Sequence, residues 1–252
     1  GREVHLDFET VGEEGVLTNL ANAEAPGETK PDNVLVDGGH RGKAIRVTGD
    51  DVLEVKSVGA YERDQPWSAS VWIRPAEIVA RANILSRGKC ADDSAGMGYE
   101  LLLLDGKPTA SLAHFWPGNA IRVQAKEALE AETLTHLGVT YDGSARAGGL
   151  RLFVNGQEAE VTMVQDSLTR TISTFRNLKE DEQLGLVLGQ RYREAGLRHG
   201  LIDEFQFWSR ELSALEMALA YDEEPILDQL LLKAHFVQTV HPPVQKARAE
   251  VQ

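Results

Sequence analysis

Short runs of alternating apolar and polar residues, separated by tight turns, occupy most of this 252-residue chain up to about residue 210. This two-residue period is typical of β-strands with one buried face, and it is clear at Val4–Phe8, Ala69–Arg74 and Ile121–Gln124. Asp105-Gly106 and Asn155-Gly156 each follow such a run, and both dipeptides favour two-residue hairpins. Because no helical pattern separates the strands, the sequence predicts an all-β antiparallel sandwich or barrel.

The pattern changes from strand to helix near residue 212. Ser213–Glu216 has the spacing of a capping box, with Leu212 and Met217 placed as a hydrophobic staple, so a helix through about Tyr221 is predicted. A second helix should follow, with an apolar stripe made of Ile226, Leu230, Leu231 and Val237. A short polar helix is predicted over Val244–Val251. We therefore predict one β domain over residues 1–221 and a helical tail over residues 222–252 that links to a following domain.

Composition excludes several classes of function. The chain has 26 Lys and Arg against 39 Asp and Glu, a formal net charge of −13, and phosphate backbones and anionic lipids would repel it. No nucleic-acid partner and no membrane insertion are therefore expected, and the longest apolar run near the C-terminus, Ile226–Val237, is interrupted by polar residues. A single cysteine, Cys90, excludes an intrachain disulfide and a cysteine-based zinc site.

Four segments together resemble the laminin-G-like, concanavalin A-type jelly rolls. They are Trp67–Pro75 (WSASVWIRP), His136–Ser144 (HLGVTYDGS), Leu150–Gly156 (LRLFVNG) and Gly200–Ser213 (GLIDEFQFWSRELS). Their order and spacing also match, and the resemblance extends over roughly residues 3–221. It implies a jelly-roll sandwich of two antiparallel sheets, with a short C-terminal helical extension.

A narrower resemblance concerns large multidomain proteins of the planctomycete-type cytochrome c-domain family. It rests on Tyr99–Leu103, His114–Val123 and Ser167–Thr171. In those proteins the jelly roll lies between other domains. The resemblance implies adjacent domains of a parent chain as partners, and an exported, periplasmic or cell-surface location. It implies no particular ligand.

The fold also houses retaining glucanases, whose Glu-x-Asp-x-x-Glu strand motif places two carboxylates about 5 Å apart on one face. The nearest match here is Leu201–Gln206, with Leu and Gln at the two glutamate positions. Asp203 and Glu204 are adjacent, so on a strand they point to opposite faces. No Gly-x-Ser-x-Gly or His-Glu-x-x-His motif occurs. The sequence predicts no catalytic residues.

Asp203 is the candidate metal ligand. It shares a strand face with Phe205 and Phe207, and a carboxylate turned inward needs hydrogen bonds or a cation. Relatives of this fold bind a structural Ca²⁺ through an Asp on the closing strand, so the resemblance suggests Ca²⁺ on Asp203 with Asp7, or with a carbonyl near Gly42. The alternative is that Asp203 accepts N–H bonds from a neighbouring loop.

Asp7 also belongs to a second pattern, because His5, Asp7 and Glu9 recur every two residues. These side chains could form a metal or acid–base cluster, or simply the solvent face of a half-buried strand.

The candidate ligand-binding residues are His114, Trp116, Asn119 and Arg122. They surround a Pro-Gly loop, where an indole ring can stack on a sugar and the amide and guanidinium offer directional hydrogen bonds. The alternative is that Trp116 packs over the edge of the sandwich and Asn119 caps the turn.

The preferred interpretation is a non-catalytic module that binds an extracellular carbohydrate or a protein ligand. A spacer that docks on neighbouring domains is the alternative, favoured if Leu230, Leu231 and Phe236 expose an apolar stripe. A glycoside hydrolase ranks last.

Overall fold

The computed structural model describes residues 1–88, 97–173, 185–190, 196–222, 229–241 and 243–244. The first strands along the chain are β1 (Arg2–Leu6), β2 (Val16–Leu17), β3 (Gly27–Thr29), β4 (Val34–Asp37), β5 (Lys43–Arg46), β6 (Leu53–Val55), β7 (Trp67–Arg74), β8 (Arg81–Gly88) and β9 (Gly98–Leu104). They are followed by β10 (Lys107–Phe115), β11 (Asn119–Ala125), β12 (Thr135–Tyr141), β13 (Leu150–Val154), β14 (Gln157–Glu158), β15 (Val161–Asp166), β16 (Leu186–Leu188) and β17 (Leu201–Trp208). The helices are α1 (Ala214–Tyr221) and α2 (Gln229–Thr239), with 3₁₀ turns at Glu13–Gly15 and Ala147–Gly149.

Two antiparallel sheets form the sandwich, as predicted. One has the order β14-β13-β12-β7-β17-β5-β4, with β1 also paired to β17. The other has the order β15-β11-β10-β9-β8-β16-β6-β3-β2. β17 changes partner along its length, since Leu201 and Ile202 pair with β5 while Phe205–Trp208 pair with β1. The strand register is irregular between Asp203 and Gln206, where this change occurs.

The core lies between the sheets and is centred on stacked aromatic rings. Trp67, which is fully buried, stacks on Tyr99 with ring centroids 4.6 Å apart and on Phe207 at 5.7 Å. Alternate residues of β7, such as Val71 and Ile73, join the same cluster. The two-residue period therefore describes the inner faces correctly, because side chains on a strand point alternately to its two sides.

Both predicted hairpins are present. Asp105 and Gly106 have φ angles of 50° and 79°, and Asn155 and Gly156 have 49° and 75°. Positive φ at both central residues is the requirement of a type I′ turn, which asparagine, aspartate and glycine meet most easily.

The first strand is shorter than predicted. β1 ends at Leu6, and Phe8 adopts a φ of 50° with its side chain fully buried. The chain turns so that Phe8 enters the core. His5, Asp7 and Glu9 therefore do not share one strand face, and the Glu9 carboxylate instead accepts the backbone N–H of Lys43 at 3.1 Å.

Helix α1 packs on the outer face of the eight-stranded sheet. The predicted capping box is formed by Ser213 and Glu216. Met217 is fully buried against Phe153 and Trp208, and a Cβ at Gly138 of β12 would lie 2.3 Å from the Met217 sulfur. Glycine at this position therefore lets the helix approach the sheet.

Helix α2 has no buried residue, and Leu230 and Phe236 are 77% and 49% exposed. Within the described part of the chain, neither helix has the length and apolarity needed to span a bilayer. Cys90, Ile226 and most of the helix predicted over Val244–Val251 lie outside the described residues.

Candidate functional site

Trp116 lies in the turn between β10 and β11. Its indole is half-buried and packs on Ala113 and Ala120, one residue from each of the two strands. Phe115, next to it, is 47% exposed. The turn therefore presents two adjacent aromatic side chains at one end of the nine-stranded sheet.

Arg122 lies under the Trp116 ring, with its guanidinium carbon 3.5 Å from the ring centroid. The Arg122 Nε donates to Ser111 Oγ at 2.7 Å, and its terminal nitrogen donates to Glu100 Oε1 at 3.2 Å. Arg122 and Glu100 are both buried, at 4% and 2% exposure. A guanidinium held on both sides by hydrogen bonds supports the indole through a cation–π contact.

Asn119 and His114 form hydrogen bonds between this turn and the segment at residues 169–171. Asn119 donates to the Thr169 hydroxyl at 2.7 Å, and its carbonyl oxygen accepts the backbone N–H groups of Thr169 and Arg170, both at 3.1 Å. The ring nitrogen Nδ1 of His114 is 2.7 Å from the carbonyl oxygen of Thr171. These contacts fix the segment beside the aromatic pair.

The four predicted residues are thus brought together at one end of the sandwich. Three of them have intramolecular hydrogen-bond partners, whereas the half-buried Trp116 packs on Arg122 and has the exposed Phe115 beside it. Phe115 was not among the predicted site residues. Its place at the end of a strand before a Pro-Gly turn was the available sequence signal, since a strand residue there has few neighbours to cover it.

Asp203 is fully buried, and burial raises the pKa of its carboxyl group to about 7. Backbone N–H groups of Arg41 and Glu204 donate to its oxygens at 3.1 and 2.8 Å. These N–H groups satisfy the carboxylate oxygens by hydrogen bonding, and an N–H group cannot act as a ligand of a cation. Asp7 accepts the Glu9 N–H at 3.3 Å.

Within the described residues, no group of three or more His, Cys, Asp or Glu side chains could hold a metal ion. Calcium binding by Asp203 and Asp7 stays a prediction.

Apart from the Trp116 turn, a concave region lies between α1 and the strands β1 and β17. It is a cavity of about 330 Å³, with His40 and Trp72 at one end and the paired side chains of His5 and Glu204 in its wall. We call it the His40 cleft. No sequence pattern indicates the His40 cleft, because its residues come from four distant segments that no spacing rule connects.

Asp203 and Glu204 have separate environments, as their adjacency predicts. Asp203 faces the loop at residues 39–41, whereas Glu204 faces the His40 cleft, where its Oε2 lies 2.8 Å from His5 Nε2. Burial alone would raise the pKa of Glu204, but the hydrogen bond from His5 together with the charges of His5, Arg41 and His40 outweighs it and holds this pKa below its ordinary value. The pair does not form the two-carboxylate arrangement of a retaining glucanase.

Solved structures with the same fold include several binding domains. The binding domain of Paraclostridial Mosquitocidal Protein 1 aligns with a TM-score of 0.63 at 14% identity, over 88% of this chain and 52% of that one. The receptor binding domain of botulinum neurotoxin D gives 0.58 and 12%, over 88% and 52%. This chain therefore spans about half the length of these toxin domains.

A third neighbour is domain 4 of AbnA, a GH43 extracellular arabinanase from Geobacillus stearothermophilus, solved in complex with arabinotriose. It aligns with a TM-score of 0.55 at 15% identity, over 88% of this chain and 98% of that one. At these identities the likeness concerns the fold alone. No curated protein matches the sequence.

One family model matches residues 47–218, which include β7, β12, β13 and β17, the strands that contain the four motifs. Its match covers more than half of the chain and agrees with the observed sandwich of two antiparallel sheets. The chain therefore belongs to the concanavalin A-like lectin/glucanases superfamily.

Proposed function

We propose that this protein is a non-catalytic binding module that recognises a carbohydrate or a protein ligand through the loop around Trp116. The observation that carries the proposal is the adjacent pair of the exposed Phe115 and the half-buried Trp116, whose ring is supported from below by the buried Arg122. An extracellular setting, at the cell surface or in the periplasm, belongs to the same proposal.

The support under Trp116 favours binding for an energetic reason. Ordering a flexible side chain on association costs about 0.5–1.5 kcal/mol, and a ring that is already held does not incur this cost. Trp116 is held by Arg122 on one side and by Ala113 and Ala120 at its base. The half of its indole that stays exposed offers aromatic surface, which suits stacking on a sugar ring.

The neighbouring structures support the proposal without identifying the ligand. One is a domain solved with arabinotriose, and two are described as binding domains of toxins. Their sequences are at most 15% identical to this one, so the ligand cannot be transferred from them.

The test is a polysaccharide and glycan array, run with and without Ca²⁺, on the wild type and on Phe115→Ala and Trp116→Ala. Binding should weaken by up to about tenfold in each variant, as expected for the loss of a stacking contact of about 0.5–1.5 kcal/mol. Phe236→Ala is the matched control, because Phe236 is 49% exposed against 47% for Phe115 but lies on α2.

Melting temperature separates binding from packing. If Trp116→Ala lowers the melting temperature strongly and leaves glycan binding intact, Trp116 has a structural role and the proposed site is wrong. The runs with and without Ca²⁺ also test the predicted metal requirement.

A spacer domain that docks on its own neighbours is the second candidate. Helix α2 favours it in part, because Leu230 and Phe236 are exposed, whereas Leu231, the third residue of the predicted stripe, is half-buried. Leu230→Lys should then abolish association with flanking regions of the parent chain, supplied as separate polypeptides, and leave glycan binding unchanged. Association that persists in Leu230→Lys would contradict this role for α2.

A further inference from the structure

The His40 cleft lies on the outer side of the eight-stranded sheet, whereas the Trp116 loop belongs to the nine-stranded sheet. Its cavity of about 330 Å³ is within the range of ligand pockets, roughly 300–1,000 Å³. The α1 side contributes Glu216, Leu219 and Ala220 to the wall, and the strands contribute polar side chains. The cleft is therefore structurally separate from the loop of the proposed function.

An aromatic platform forms one end of the cleft. The exposed imidazole of His40 stacks on Trp72, with ring centroids 3.8 Å apart and an angle of 9° between the planes. Trp72 is 8% exposed and is itself held by Tyr221 at 5.4 Å and His136 at 5.4 Å. Partial burial and then the neighbouring Arg41 lower the pKa of His40 below its ordinary value, which favours the neutral ring. A flat, neutral ring on a fixed support is suited to stacking.

Glu204 enters the cleft from an unusual backbone position. Of the described non-glycine residues with positive φ, Glu204, at 46°, is the one that lies inside a strand. It lies where β17 changes partner from β5 to β1, and Asp203 beside it anchors the loop that contains His40 and Arg41. Left-handed backbone in a strand is costly, and strand irregularities often redirect a side chain beside a functional site.

Two hydrogen-bonded pairs line the cleft next to this platform. His5 and Glu204 are 16% and 12% exposed in their side chains, and Arg2 donates to Gln206 at 2.8 Å. These groups still have unused lone pairs or N–H groups, because a carboxylate accepts several hydrogen bonds and a guanidinium donates five. The hydroxyl groups of a sugar both donate and accept hydrogen bonds, so a wall of fixed donors and acceptors suits them.

Among the described residues, the charges around the cleft are balanced, although the chain carries −13 overall. The arginines Arg2, Arg41 and Arg210 face the acidic residues Glu204 and Glu216, with Asp222 in the adjoining part of the cavity. A phosphate or a cation would meet charge of both signs. An uncharged polyhydroxy ligand would not be repelled by either.

From the stacked platform, the redirected Glu204 and the balanced charge, we infer that the His40 cleft is a second binding site, for a neutral glycosyl ring. The ring stacks on His40, and its hydroxyl groups exchange hydrogen bonds with Glu204, His5 and Gln206. This inference is independent of the Trp116 loop.

The experiment records ¹H–¹⁵N spectra of the full chain during titration with the methyl glycosides of glucose, galactose, mannose and arabinose. At least one of them should cause saturable shifts of the Trp72 indole N–H and the His40 backbone N–H. Binding should weaken by about tenfold in His40→Ala and in Glu204→Gln, because each loses one stacking or charge-assisted contact. Trp116→Ala should leave these shifts unchanged, and His199→Asn controls for the loss of one exposed histidine.

A parallel titration with methyl glucuronide tests for a charged ligand. If no neutral glycoside shifts the Trp72 and His40 signals, or if only methyl glucuronide does, the inference is wrong. Shifts confined to Trp116 would leave the proposed function standing and overturn only this site. His40→Ala covers the case in which Glu204→Gln fails to fold, since His40 lies at the surface.

Discussion

Replacing His136 with phenylalanine should change the pH dependence of stability. His136 is 1% exposed, and neither of its ring nitrogens has a hydrogen-bond partner among the described residues. Burial, with a smaller contribution from His40, lowers the pKa of His136 from 6.5 to about 3. The unfolded chain therefore takes up a proton at a pH where the folded chain does not.

The size of the effect follows from linkage. Because the folded pKa is depressed, the contribution of His136 to stability is present above pH 6.5 and is lost as the pH falls towards 3. Between pH 7 and pH 5 the loss is about 2 kcal/mol. Asp203 acts in the opposite sense, since its pKa is raised from 3.8 to about 7 and its contribution is lost as the pH rises through 7. On acidification to pH 5 it restores about 2 kcal/mol, so the two contributions nearly cancel in the wild type.

The assay is urea unfolding followed by far-UV circular dichroism at pH 7 and pH 5, for the wild type and His136→Phe. The unfolding free energy of the variant minus that of the wild type should be about 2 kcal/mol larger at pH 5 than at pH 7. Any cost of fitting the larger ring beside Trp72 and Tyr221 does not depend on pH and cancels in this comparison. His199→Asn, which removes an exposed histidine, is the matched control. A difference that is equal at both pH values would refute the reasoning.

Three further changes can be measured by the same unfolding assay at pH 7. Gly138→Ala should lower the unfolding free energy by about 1–3 kcal/mol, because the new Cβ would lie 2.3 Å from the Met217 sulfur. Adding Met217→Ala to the same chain should recover part of this loss. An unchanged unfolding free energy in Gly138→Ala would mean that α1 can move away from the sheet. Arg122→Ala should cost about 1–3 kcal/mol by removing one of the two arginines that pair with the buried Glu100, the other being Arg81, whereas a loss well below about 1 kcal/mol would indicate that the remaining partners already balance the carboxylate. Ser213→Ala should cost about 1 kcal/mol through loss of the helix cap, and no change would contradict the observed capping box.

The proposed site was only partly accessible from the sequence. The Pro-Gly turn and its aromatic residues were recognisable, and His114, Trp116, Asn119 and Arg122 do lie together. Their partners were not, because hydrogen bonds to segments some 50 residues away along the chain have no local pattern. The exposure of the neighbouring Phe115 also had to be observed.

Local physical chemistry determined the architecture from the sequence alone. The two-residue period specified which side of each strand is buried, the dipeptides Asp105-Gly106 and Asn155-Gly156 specified the hairpins, and Ser213–Glu216 specified the start of α1. Each of these acts over a few neighbouring residues, so a pattern in the sequence is enough to predict it.

Only the tertiary structure decided how distant segments meet. The exchange of β5 for β1 along β17, the positive φ of Glu204 and the His40 cleft all arise where the N-terminus, the loop at residues 39–41 and the closing strand pack together. The early end of β1 has the same origin, since Phe8 turns into the core. Such features depend on which strands become neighbours, and burial in the completed sandwich selects that arrangement.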